Sequence, residues 1–282
     1  MMERESGKTM DCFIEFATAG EAAHVARSFA RRVEQGRPPK VSDREVTVVY
    51  SSQDELLELL FPRAKHTRWS GGQPVIDKSV RKYYADENAA GFQGFMFTEE
   101  IVMLTKHAQL SERVSHSLAL YLQYQANDSQ SPFASKSPCR VYEHMITTLY
   151  KYPWYAVQYI SVKERRAIYD CVTSLLRILI EQLRRSSGRY NPLEPSIAIL
   201  QELSVAALTC PGFSEKQKAT IVQQLISHGY KDIANGYNVG VRLGGHQEFS
   251  IFWPFASLGV IPGTDRNVLR VSHSQTVSLE QC

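Results

Sequence analysis

The sequence predicts an α+β protein: a strand-helix-strand unit at the N-terminus, then an all-α helical region. Three observations carry this reading. KTMDCFIEF alternates with a period of two and is followed by ATAGEAAHVARSFARRVEQG, whose apolar residues recur every three to four positions. EVTVVY then supplies a β-branched strand. From Thr98 to about Ser227 the apolar spacing is helical, and capping signals separate the segments.

In the first strand, Cys12, Ile14 and Phe16 share one side and Asp11, Phe13 and Glu15 the other. The following helix carries a stripe of Ala22, Val25, Ala26, Phe29 and Val33. Arg27 and Arg31 lie opposite it, and Gly36 stops it. A loop, Arg37-Pro38-Pro39-Lys40, leads to the strand Glu45–Tyr50. Next comes a short helix, SSQDELLELLFP, with Ser51 or Ser52 as its cap and acids in the first turn.

Order and lengths here resemble the second half (β3-α2-β4) of an RNA recognition motif. The motif's third-strand signature, K/R-G-F/Y-G/A-F-V-x-F/Y, matches Phe13, Ile14, Glu15 and Phe16 in its last four positions. Thr9, Met10 and Asp11 depart from its first three. The resemblance implies a ferredoxin-like β-α-β unit over residues 1–62 whose sheet contacts single-stranded RNA. Phe13 would stack a base, Lys8 would neutralise phosphate, and Tyr50 would extend the surface. Asp11 would repel the RNA backbone. The first half of such a motif has no room before Met1, so a misplaced or isoform-specific start is expected.

Residues 63–97 are polar, contain glycine and lack a lasting period, which predicts a linker. Its start, Arg63, Lys65, His66, Arg68 and Trp69, suits phosphate neutralisation with stacking, although such a charge run more commonly marks a solvated linker.

The helical domain is expected over residues 98–228. Thr98 caps a helix, and Val141–Lys151 reads as another with Tyr142, Met145, Ile146 and Leu149 on one face. Ser161-Val162-Lys163-Glu164 reads as a capping box opening a long helix striped by Ile168, Val172, Leu175, Leu176, Leu179 and Leu183. Ser196–Leu208 follows, and a second box, Ser214 to Gln217, opens the last helix. Tyr150, Tyr152, Trp154, Tyr155 and Tyr159 flank Pro153 between two helices and are expected to anchor that connection in the core. SPFASKSPCRVYE, LYKYPWYA and AALTCPGFSEKQKA resemble the C-terminal region of fungal RNA-binding proteins with one such motif. Val114–Gln130 interrupts this resemblance, and two readings stay open: a translated short intron or a genuine amphipathic helix. Residues 229–282 are expected to be a poorly ordered tail.

A hydrophobic share of 43% and a charged share of 22% are those of a soluble globular chain, and 282 residues suffice for one large or two ordinary domains. A net charge of +3 is compatible with RNA as a partner without demanding it. Five widely spaced cysteines without a CxxC pair argue against a zinc site and for free thiols in a reducing compartment. No signal core opens the chain, and no apolar run approaches the roughly 20 residues of a membrane span. Nucleus or cytoplasm is the expected location.

Walker, GxSxG, HExxH and dinucleotide patterns are absent. Cys139 and His144 would point about 140° apart on one helix, which spoils them as a nucleophile–base pair. No catalytic residue, metal ligand or cofactor is assigned. The expected RNA contacts are Phe13, Lys8, Tyr50, Arg63, Lys65 and Arg68. The alternative is a non-catalytic scaffold that binds a protein partner through its helical region.

Overall fold

A computed structural model of the chain describes residues 4, 11–41, 44–77, 92–114, 139–185, 195–235 and 268–273. The elements run β1 (Cys12–Glu15), α1 (Ala19–Glu34), β2 (Lys40–Val41), β3 (Arg44–Ser51), α2 (Gln53–Leu60), β4 (Thr67–Ser70) and β5 (Gln73–Ile76). Helices α3 (Thr98–Val114), α4 (Arg140–Lys151), α5 (Val162–Arg185), α6 (Ile197–Thr209) and α7 (Glu215–Ser227) follow, and β6 (Val268–His273) ends the described chain. This is the α+β class that the sequence predicts.

The four-stranded sheet has the order β1-β6-β3-β2. Both β1 and β3 are antiparallel to β6, so they run parallel to each other with the C-terminal strand between them. Residues 229–282, expected to be a poorly ordered tail, therefore hold one of the sheet's two inner strands. Val268 and Leu269 are fully buried there.

Register sorts the two faces. Ile14, Leu269 and Tyr50 align on one face with Cys12, Val271 and Val48; Phe13, Arg270 and Val49 align on the other. Helix α1 lies against β3 and β6 and buries Ala22. The side chains of α2 meet the Phe13 face, so α1 covers the Leu269 face. A helix is about 10 Å wide and strands are about 4.8 Å apart, so one helix spans about two strands. It leaves Cys12 exposed and Ile14 40% exposed on β1.

The helical region buries one continuous core. Tyr142, Met145 and Leu149 of α4 meet Ile168, Val172, Leu175, Leu176 and Leu179 of α5, with Leu200, Leu203, Ile221 and Leu225 from α6 and α7. Leu57, Leu60 and Phe61 at the end of α2 join the same core, as does Trp69. Residues 63–97, expected to be a linker, thus contain a β-hairpin anchored to the helical body. Its turn is Gly71-Gly72, at φ 58° and 74°, between the paired Ser70 and Gln73. Two consecutive positive φ values define the tight hairpin turn that glycine makes without steric cost.

Caps fix the helix starts. Ser52, Ser196 and Ser214 each accept from the backbone N–H three residues on, and Ser214 with Gln217 forms the full reciprocal box. The box expected at Ser161 is only half made. Glu164 N–H donates to Ser161 Oγ at 3.0 Å, but the Glu164 carboxylate turns away to accept from the N–H groups of Phe95 and Met96. It ties the segment before α3 to α5, and burial raises its pKa.

The aromatic group around Pro153 is structural, as expected. Tyr152 and Trp154 are buried with ring centroids 4.2 Å apart, and Trp154 Nε1 donates to the Leu149 carbonyl. The Trp154 ring passes so close to Gly212 that a Cβ there would lie 2.2 Å from it. Tyr155 stays 41% exposed and donates to the Gly72 carbonyl at 2.7 Å. Residues 115–130, the subject of the intron reading, lie outside the described residues. No helix among the described residues is long and apolar enough to cross a membrane.

Candidate nucleic-acid interface

The face of the sheet opposite α1 is where the sequence places its one stacking residue. Phe13 sits there half-buried, paired in register with Arg270, which is paired in turn with Val49. The Arg270 guanidinium lies over the Phe13 ring, 6.0 Å from its centroid. Cation and ring quadrupole attract in this arrangement.

Two acids hold the guanidinium. Arg270 Nε donates to Asp11 at 2.6 Å, and its terminal nitrogens pair with Asp11 and Glu55. Partial burial works against the Arg270 charge, but the hydrogen bonds to the two carboxylates prevail and raise its pKa. Asp11, read from the sequence as a repulsive charge on the RNA face, is therefore neutralised within the fold. Nothing near residue 11 signals this, because the partner stands 259 residues away.

Farther along the same face the sheet is closed. Lys151 of α4 reaches Glu15 of β1 at 2.6 Å, with both side chains largely buried, and Gln53 of α2 donates to the same carboxylate. Ser51 and Val268 are buried beneath. One half of the face is thus fastened to α2 and the helical body. The half bearing Phe13, Arg270 and Val49 stays accessible, Val49 being 42% exposed.

The other expected contacts are dispersed. Tyr50 is exposed but aligns with Leu269 and Ile14, on the α1 side of the sheet. It does not extend the Phe13 surface, because side chains alternate along a strand and Tyr50 is an odd number of residues from Val49. Lys8 lies outside the described residues. Arg63 and Lys65 are exposed in the turn after α2, and Arg68 is exposed on β4. Trp69, expected among them as a stacking partner, is buried against Phe61 and Phe95 at 5.7 and 5.8 Å. A four-residue strand that presents Arg68 outward must turn Trp69 inward.

A second polar cluster is buried where Arg4 meets α2 and the helical body. Arg4 pairs with Glu100 at 3.0 Å, donates to His144 Nε2 at 3.0 Å and reaches the Leu60 carbonyl. His107 Nε2 lies 2.6 Å from the Arg4 carbonyl. Burial, then the Arg4 charge, drive the pKa of His144 well below its usual value, so its imidazole is neutral and accepts from Arg4. Nothing in the sequence marked this cluster. It joins four distant segments of the chain.

The thiols divide by burial. Cys12 is exposed, whereas Cys171 and Cys210 are buried, and burial pushes both thiols up to about 12. Low thiolate content makes those two poor nucleophiles. Among the described residues no group of three or more His, Cys, Asp or Glu could hold a metal ion.

No curated protein and no solved structure matches the chain. Two family models do. Residues 1–71, which take in β1 to β4, match a domain of unknown function (DUF8400). Residues 92–227, which take in α3 to α7, match a second domain of unknown function (DUF8399).

Proposed function

We propose that this is a non-catalytic RNA-binding protein that holds single-stranded RNA on the open half of its sheet, acting in post-transcriptional regulation. The observation that carries the reading is the pairing of Phe13 with Arg270 on two adjacent strands, on the face α1 leaves free. Aromatic rings and guanidinium planes are the two protein surfaces on which unstacked bases stack. Support also comes from topology. In a ferredoxin-like split β-α-β unit a third strand lies between the two strands of the unit, and β6 takes that place between β1 and β3. The resemblance to the second half of an RNA recognition motif is thereby extended by a strand from the far end of the chain. A nuclear or cytoplasmic site of action accompanies this function.

Binding is expected to be weak, since a single aromatic serves and the guanidinium over it must shift to admit a base. Stacking is worth about 1–3 kcal/mol per base. Fluorescence anisotropy with labelled U-rich and A-rich single strands should therefore show Phe13→Ala weakening affinity by about five- to a hundred-fold. Unchanged affinity in that variant removes the stacking role.

The closing of the sheet's other half by Lys151 and Glu15 favours a second reading, a scaffold in which the sheet is a structural support and the helical region binds a protein partner. Salt separates the two. RNA held through phosphates weakens steeply with ionic strength, while an apolar helix-in-groove contact does not.

A further inference from the structure

Helix α1 and the loop after it carry a concentration of charge that the sheet-face site does not use. Residues 19–41 hold five Arg and Lys against two Glu, a net of +3 that equals the net charge of the whole chain. One of those acids, Glu21, is committed to the capping box with Thr18. Arg27, Arg31, Arg32 and Arg37 are all exposed, and none has an ion pair among the described residues. Lys40 alone is paired, with Glu45 at 3.8 Å in the open.

The helix dipole accounts for part of this, since Arg31 and Arg32 lie in the last turn, where cations are favourable. It does not account for Arg27, which sits mid-helix. Arg27 and Arg31, four apart, are like charges one turn above each other and repel without an outside anion. Ala22 of the α1 stripe is buried on the sheet and Val25, Ala26 and Phe29 are partly covered, while Val33 in the last turn is 54% exposed. A single exposed valine is no continuous apolar face with which to enter a membrane. What it presents outward is a row of guanidinium groups, the side chain best suited to bidentate contact with phosphate.

Placement gives the row a direction. It runs down α1, through Arg37, to Lys40 on β2, which is the edge strand next to β3. Around that edge lies the Phe13 face, where exposed Glu45, the partner of Lys40, is followed along β3 by exposed Thr47 and Val49. Arg32 lies instead over the Phe29 ring, beside the stripe. We propose that α1 is a second RNA contact, in which Arg27, Arg31 and Arg37 bind the phosphate backbone of a strand that passes round the β2 edge from the base-stacking face. The inference rests on the RNA-binding reading above and adds a backbone-tracking surface on the reverse of the sheet.

The test uses the full chain and two labelled oligouridylates, one of about 30 and one of about 6 nucleotides, titrated across salt concentrations. The variant is Arg27→Glu/Arg31→Glu/Arg37→Glu. A control, Lys163→Glu/Arg166→Glu/Lys216→Glu, makes the same charge change on exposed positions of the helical body. Circular dichroism confirms that each variant is folded. The expected result is a loss of about ten-fold or more for the long strand, with the salt slope reduced by about 2, near 0.7 per lost contact. The short strand and the control should bind as wild type does. Equal loss in variant and control, or unchanged binding of the long strand, overturns the second contact. If Phe13→Ala weakens wild-type binding while the triple variant does not, the sheet site stands and only this inference fails. If the wild-type chain binds neither strand, the RNA-binding reading fails and takes this inference with it.

Discussion

The sheet and the helical body are held together by different means. In the body, neighbouring segments bury one another's apolar stripes: Leu175, Leu176, Leu179 and Ile180 of α5 are fully buried, as are Leu200 and Leu203 of α6. In the sheet, two strands from the first 51 residues depend on a third from residues 268–273, and charged groups clamp the exposed side: Arg270 with Asp11 and Glu55, Lys151 with Glu15. Apolar burial along one stretch of chain makes a robust core. A sheet that takes one of its inner strands from the far end of the chain is the more easily opened part. The site that we assign to RNA lies on that part, where side chains can be rearranged at small cost.

The sharpest way to break the contrast is to delete Val268–His273. Hydrogen exchange should then show protection lost at residues 12–15 and 44–51 and retained at residues 168–180. Loss of protection throughout would mean that sheet and body fold as one unit. Next in size is Leu176→Ala, which empties a fully buried position and should cost about 2–5 kcal/mol in a denaturant titration. The sheet strands would not be the first to lose protection in that variant.

A smaller effect sharpens the account of the junction. The depressed pKa of His144 means that the unfolded chain binds a proton the folded chain refuses. Its contribution to stability is therefore intact above the ordinary histidine value, about 6.5, and is lost as pH falls below it. Stability should decline toward pH 5.5 by up to about 1.4 kcal/mol per pH unit. His144→Gln should flatten that decline; an equal slope in the variant would assign it to other groups.

The sequence showed the helices well, because capping serines and apolar stripes are local signals. Ser52 and Ser214 cap as expected, and α5 carries the predicted stripe. It also placed Phe13 on the correct side of β1 relative to Cys12 and Ile14. Three features escaped. The hairpin at Thr67–Ile76 was hidden by polar composition, although its Gly-Gly turn was in plain view. The strand partner of β1 was out of reach, since six residues ending in VSH look like any short β-branched run until a slot exists for them. Glu164 fitted a capping box by spacing alone, and tertiary contacts with Phe95 and Met96 redirected it. Tyr50 failed for a simpler reason. Its position at a strand exit suggested access, but the parity of its number relative to Val49 decides its face.

Photo-crosslinking of a 4-thiouridine-substituted single strand to the full chain, with the adducts mapped by mass spectrometry, bears on the sheet-face site without any substitution. Adducts on the peptides containing Phe13 and Arg270, competed away by unlabelled RNA, are the predicted result. Adducts confined to the helical region, or none at all at low salt, would contradict the assignment of RNA to the sheet.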